Sequence, residues 1–467
     1  MDNAAVSPAT VLTKIVAQRQ QRLAELAQYY PAEQLAQQLQ PSQRSLAAAL
    51  AQPRASFILE CKKASPSKGL IRADFNAVQL AQTYARYADA ISMLTEPDFF
   101  QGDFSYLAAV SAAVTIPVLC KDFITTPLQV LLARHFGADA ILLMLSILDD
   151  QQYTQLAALA ERYQLDILTE VATADEMRRA ARLGARIIGI NNRNLHDLSI
   201  DPQRSIELSQ LAPAGALLLA ESGFSEHAAV RATAPFVDGF LVGSALSAKN
   251  NVDQACRELI YGQHKVCGLG TAADAMTVRA AGAAYGGLIH VSQSPRYLSL
   301  AQAQAITKAE PLLHYVGVFA DQALTDVVAF AHATGLHALQ LHGNENLDYI
   351  TQLRQMLPTT TQIWKAIGVD QSLRLPELPV DRYVLDNRSA GSGSRFDWQL
   401  LASLSPLQRQ QCMLAGGISQ TNAAAALATG IERLDINSGV EYRKGHKDAG
   451  LIIQFFNQLR QYGRTNQ

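Results

Sequence analysis

The chain has 467 residues, 49% of them hydrophobic and 17% charged, with 39 basic and 41 acidic side chains and a formal net charge of -2. So even a balance argues against wrapping nucleic acid or coating an anionic membrane and points to small-molecule partners, while the length suits two domains of about 200 to 250 residues, each able to bury a core. The five cysteines (Cys61, Cys120, Cys256, Cys267, Cys412) include no CxxC pair, which argues against a disulfide framework or zinc site; no leader pattern or ~20-residue apolar span is visible, so a soluble, cytoplasmic protein is expected.

Residues 11–29 carry helical spacing and 45–51 are rich in Ala and Leu, so residues 1–52 are expected to form a helical extension. Short apolar runs then alternate with helical stretches: 57–63, 90–95, 117–123, 140–146, 166–171, 187–193, 217–223 and 239–245. A helical run at 252–260 closes this series, and a second follows at 265–269, 285–291, 314–319, 338–343, 362–368, 382–387, 412–418 and 433–439. Strict strand–helix alternation predicts parallel strands, and two sets of eight favour two tandem (β/α)8 barrels, residues 1–260 and 264–467. The sequence also echoes itself. Ala220-Glu221-Ser222-Gly223 with Leu241-Val242-Gly243-Ser244 returns about 195 residues later as Ala415-Gly416-Gly417 with Asp435-Ile436-Asn437-Ser438-Gly439. Small residues after a strand let backbone N–H groups approach an anion, so each copy reads as a phosphate grip.

Reactive groups of such barrels sit at the C-terminal strand ends. In the first barrel those ends supply Glu60 and Lys62, which the period of two aims to one side, then Lys121, Glu170, Asn191 with Arg193, and Glu221 with Ser222. Lysines and glutamates converging on one mouth shift each other's proton affinities and can exchange protons near neutral pH. Cys61 and Cys120 point the other way and read as buried packing. The run Glu60-Cys61-Lys62-Lys63-Ala64-Ser65-Pro66-Ser67-Lys68-Gly69 closely resembles the strand-one signature of indole-3-glycerol phosphate synthases, supported by Leu119-Cys120-Lys121-Asp122-Phe123, Leu168-Thr169-Glu170-Val171 and Gly189-Ile190-Asn191-Asn192-Arg193. The resemblance implies a substrate, carboxyphenylamino-deoxyribulose phosphate, that closes to an indole with loss of carbon dioxide and water. It also implies Lys121 as the acid at the carbonyl, Lys62 on the substrate carboxylate and Glu60 and Glu170 as acid/base groups. Asn191, Glu221 and Ser222 would orient the chain, with Ser65, Gly223, Gly243 and Ser244 on the phosphate and Arg193 beside them.

In the second barrel Cys267 ends strand one and Asp386 ends strand six, a thiol and an acid facing one mouth. Lys265-Val266-Cys267-Gly268, Ser294-Pro295-Arg296, Gln340-Leu341-His342-Gly343-Asn344-Glu345 and Leu385-Asp386-Asn387, with the loop Gly391-Ser392-Gly393, resemble phosphoribosylanthranilate isomerases. The resemblance implies an Amadori rearrangement with Asp386 as acid, Cys267 as base, Arg296 on the anthranilate carboxylate and Gly417, Ser438 and Gly439 on phosphate. His342 reads as a turn stabiliser. Gly270-Thr271 stands where that family has threonine then arginine, so the basic residue expected near the thiol is missing, and Ala390 replaces a frequent glycine. The combined expectation is a monomeric bifunctional enzyme acting on phosphorylated anthranilate-sugar substrates, with no cofactor and no metal. A phosphate-binding module in the second barrel, or a pair of phosphosugar aldolases or epimerases, are the alternatives.

Overall fold

Leucine-, isoleucine- and valine-rich runs too short for helices become parallel strands buried on both faces, and the alanine-rich stretches between them become the covering helices. The computed structural model describes residues 11–194, 198–387 and 395–464. Contacts divide the chain into Met1–Val252 with Gln461–Gln467, and Asp253–Arg460.

The first unit is a closed barrel of eight parallel strands: Ser56–Cys61, Ala90–Leu94, Val118–Lys121, Ala140–Met144, Asp166–Val171, Ile187–Asn191, Leu217–Glu221 and Gly239–Val242. Closure is by strand one on strand eight, with Leu59 opposite Val242. Ile58, Leu119, Leu168, Leu219 and Leu241 fill the interior. The extension contacts both ends of this barrel. Helix Leu46–Leu50, capped by Ser45, sits at the strand starts, where Ser45 Oγ donates to Asp166 (2.8 Å) and Leu46 and Leu50 are fully buried. Helix Val11–Tyr29 lies at the strand ends, where Arg19 grips Asp122 with two hydrogen bonds of 3.0 and 2.5 Å.

The second unit has eight parallel strands: Lys265–Val266, Tyr285–Ile289, His314–Phe319, Ala338–Leu341, Gln362–Val369, Arg382–Asn387, Cys412–Leu414 and Asp435–Ile436. The ring closes through a single bridge between Leu414 and Leu434. Strand one is shorter than the sequence pattern suggests, because Gly268 turns the backbone out at φ +72° just past Cys267. No helix follows strand five: Pro376 and Pro379 cannot continue one, and residues 370–381 form neither helix nor strand, with Leu373, Leu375 and Leu378 packed on the core. Helix Val252–Tyr261 belongs by contacts to this unit from Asp253 onward, its Arg257 donating to the carbonyls of Ala283 and Leu312. Among the described residues no helix is long and apolar enough to cross a membrane.

Candidate active sites

The first barrel holds a cavity of about 330 Å³ at its C-terminal mouth, lined by Glu60, Lys62, Ser65, Lys121, Glu170, Asn191, Arg193, Glu221, Ser222, Gly223, Gly243 and Ser244. Every residue given a substrate or proton-transfer role in this half of the sequence thus faces one space. Lys121 is the hub, its Nζ donating to Glu221 at 2.7 Å and to Glu170 at 3.4 Å. Asn191 Nδ2 donates to the other oxygen of Glu170 (3.1 Å), and Lys62 pairs with Glu60 at 2.6 Å. Two glycines make room. A side chain at Gly189 would come within 2.0 Å of Glu221 Oε1, and one at Gly243 within 2.5 Å of Glu60 Oε1.

Burial sets the electrostatics and the neighbours redirect them. Burial alone would raise the Glu60 carboxyl, but Lys62 and Lys121 outweigh it and hold it below the ordinary range. Burial opposes the Lys121 ammonium, yet Glu221, Glu170 and Glu60 together keep it charged beyond an ordinary lysine. Glu221 is pushed up to about 7, chiefly by burial and by Glu170, with Lys121 pulling the other way. A fixed cation beside a carboxylate that titrates near neutrality is the equipment of proton transfer. Ser65 Oγ and Glu221 Oε1 are buried without a protein partner, leaving hydrogen-bonding capacity for a ligand. Ser222 (φ 68°) and Gly223 (φ 93°) are both left-handed, as are Gly416 (82°) and Gly417 (66°) at the matching place in the second barrel. The echo in the sequence is an echo in backbone shape.

The apolar walls were not legible in the strand-end pattern. Phe100 and Phe123, with ring centroids 5.8 Å apart, line this cavity with Val11, Leu12 and Ile15 of the N-terminal helix. Together they give the mouth an apolar wall beside its charged groups. Cys61 and Cys120 are buried and their thiols raised by burial, that of Cys120 to about 12, as packing residues should be.

The second cavity, about 270 Å³, is lined by Cys267, Arg296, His342, Asp386, Gly416, Gly417, Asp435, Asn437 and Ser438. Gly439 lies behind it, where a side chain would meet the Ile418 carbonyl at 2.1 Å. Burial raises the Cys267 thiol, Lys265 pulls it down and Asp435 pushes it back up. Asp386 is pushed up to about 6, mainly by burial, so near neutral pH it can hold a proton to give. Arg296 is held by a bidentate pair to Glu441, both bonds 2.8 Å.

Strand one adds Lys265, two residues before Cys267 and therefore on the same side. Its buried ammonium donates to Asp435 and to Gln340 Oε1, each at 2.6 Å. The Gln340 amide nitrogen is left to donate to His342 Nε2, which fixes a neutral imidazole with its proton on Nδ1. Burial keeps that ring neutral, lowering it to about 3. His342 lies in the cavity lining, although the sequence suggested only a turn. Period two could have found Lys265. Lys447 and Glu441 had no such signal, since they come from a hairpin, Glu441–Arg443 with His446–Lys447, beyond strand eight. Gly391-Ser392-Gly393 and Ala390 lie outside the described residues. Among the described residues no three His, Cys, Asp or Glu side chains are grouped to hold a metal ion.

Comparison with known proteins assigns both halves. The family model for indole-3-glycerol phosphate synthase matches residues 12–259, and that for N-(5'phosphoribosyl)anthranilate isomerase matches 264–458. The chain is similar to the tryptophan biosynthesis proteins TrpCF of Yersinia pestis (47% identity, 97% of this chain and 95% of the relative) and Salmonella typhi (46%, 97% and 100%). That of Vibrio cholerae is 47% identical over 97% of each chain. The chain belongs to the bifunctional TrpCF family of tryptophan biosynthesis, with an indole-3-glycerol phosphate synthase barrel followed by a phosphoribosylanthranilate isomerase barrel.

Proposed function

We propose the following division of labour between the residues of the two sites, with the functional boundary between residues 260 and 264. In the isomerase barrel Asp386 gives its proton to the ribose ring oxygen, the ring C–O bond breaks, and the Cys267 thiolate removes the C2 proton. The resulting enol tautomerises to the aminoketose. Arg296 holds the anthranilate carboxylate, for which a guanidinium fork is well shaped, and Gly417, Ser438 and Gly439 take the phosphate. In the synthase barrel Lys121 protonates the ketose oxygen as the anthranilate ring carbon attacks, carbon dioxide leaves, and Glu60 and Glu170 handle the protons as the hydroxyl departs as water. Lys62 holds the substrate carboxylate, Asn191, Glu221 and Ser222 orient the chain, and Ser65, Arg193, Gly223, Gly243 and Ser244 surround the phosphate.

The observation that carries this reading is the 2.7 Å contact of Lys121 with Glu221, an ammonium held protonated at rest, ready to donate, beside a group near its own titration point. Monomeric action in the cytoplasm is part of the proposal. It is supported by cavities each lined by residues of one unit and by five free, buried cysteines, which suit a reducing compartment. Supplying N-(5-phosphoribosyl)anthranilate to the intact protein tests the order of steps. The aminoketose should appear first and indole-3-glycerol phosphate second; Cys267→Ala should abolish the first step and still close supplied aminoketose. Retained isomerisation by that variant would remove Cys267 from the role of base.

A further inference from the structure

The second barrel has no basic residue in the segment that directly follows its thiol, Gly268-Leu269-Gly270-Thr271. A cation is nonetheless there. Lys447 donates to Asn437 Oδ1 at 2.8 Å and to Glu441 at 2.9 Å, and its side chain is 1% exposed. It lies against the residue that follows the thiol: a Cβ at Gly268 would be 3.5 Å from Lys447 Nζ, 3.0 Å from Asn437 Oδ1 and 2.8 Å from Arg296 Cδ. Glycine at 268 therefore lets this cluster close on the end of strand one.

The charged groups around Cys267 come from every neighbouring element: Lys265 on strand one, Asp435 on strand eight, Asp386 on strand six, Arg296 after strand two, and Glu441 and Lys447 on the hairpin. Lys265 pairs with Asp435 at 2.6 Å, which offsets part of its pull on the thiol, yet Lys265 remains the stronger of the two and also hydrogen-bonds to the thiol, so it is the first cation of Cys267. In the hairpin cluster one anion, Glu441, serves two cations, Arg296 at 2.8 Å and Lys447 at 2.9 Å. That cluster adds one positive charge in excess on the side of Gly268. We propose that Lys447, held by Glu441 and Asn437, is the positioning residue that keeps Cys267 ready to act as the thiolate base, an inference that rests on the reading of Cys267 given above. Lys447 takes the place of the arginine that the strand-one motif lacks.

The test is the pH dependence of Cys267 alkylation by iodoacetamide in the full chain, with the modified residue located by peptide mass. Lys447→Met should move the midpoint upward by about one pH unit or more, the effect of losing a nearby opposite charge. Lys447→Arg should restore it, and Glu441→Gln, which removes the anion and leaves both cations, should move it downward. A midpoint unchanged in Lys447→Met overturns the proposal, as do shifts of the same sign in Lys447→Met and Glu441→Gln, which mean general loosening. If Lys447→Met does not fold, the direction in Glu441→Gln decides alone, an unchanged or raised midpoint overturning the proposal. Alkylation needs no turnover, so failure of Cys267 as the base, read from turnover by Cys267→Ala, is a separate result.

Discussion

Lys121 and Glu221 meet at 2.7 Å across the mouth of the first barrel, from the ends of strands three and seven. The lysine is held in its charged form by the three carboxylates around it, whereas burial pushes the glutamate up to about 7. At rest one partner of the pair is therefore protonated and the other sits near its titration point.

The pH dependence of the synthase follows from that asymmetry. A carboxyl raised to about 7 is ionised above that pH and protonated below it, and only the ionised form pairs with Lys121. Synthase kcat/KM should fall as pH drops through about 7, and Glu221→Gln should lose that limb. A wild-type profile flat from pH 6 to 8 would contradict it.

Gly189→Ala separates geometry from stability. The new methyl would sit 2.0 Å from Glu221 Oε1, so the carboxylate must swing from Lys121. The obstructing atom is the far end of a side chain, so the fold should lose at most the ~1–3 kcal/mol typical of overpacking. Synthase turnover should drop by at least about tenfold with isomerase turnover unchanged. A large loss of thermal stability with a normal rate per folded molecule would refute the placement of Glu221.

The isomerase should show reverse protonation. Its acid, Asp386, titrates near 6, while burial raises the thiol of its base, Cys267, above the ordinary range. The productive form, protonated acid with thiolate base, is then a minor species of constant fraction between the two values. The kcat/KM profile should be a bell whose acid limb near pH 6 belongs to Asp386. Asp386→Asn should remove that limb along with most of the rate; a limb that survives in the residual activity assigns it elsewhere.

Arg19 and Asp122 form a buried pair, their side chains 3% and 1% exposed, and Asp122 also accepts from Thr95 at 2.6 Å. Breaking such a pair from one side costs about 3–5 kcal/mol because the remaining charge is stranded. Arg19→Met should lower the melting temperature of the first barrel and raise the synthase KM, since the same helix lines the cavity through Val11, Leu12 and Ile15. A normal melt and normal KM would show that the helix docks without that pair.

Much of this was legible in the sequence, and the reasons are local. Strand positions followed from short apolar runs, and Glu60, Lys62 and Lys121 stood out as charges ending otherwise apolar strands. The helix Val11–Tyr29 followed from its spacing, but not its place over the mouth, because Arg19–Asp122 joins residues 103 apart. Lys447 was invisible for the same reason: it reaches the Cys267 end through a hairpin that no strand period registers. The missing helix after strand five was readable in Pro376 and Pro379, whose effect the regular alternation masked.

Assaying Lys121→Ala separately with each substrate tests the division of labour most directly. Isomerisation of N-(5-phosphoribosyl)anthranilate should proceed at the wild-type rate, while closure of the aminoketose to indole-3-glycerol phosphate falls by about 10²–10⁴-fold, the usual contribution of a general acid. Indole-ring closure at an undiminished rate, or loss of both activities in a folded protein, would contradict the assignment.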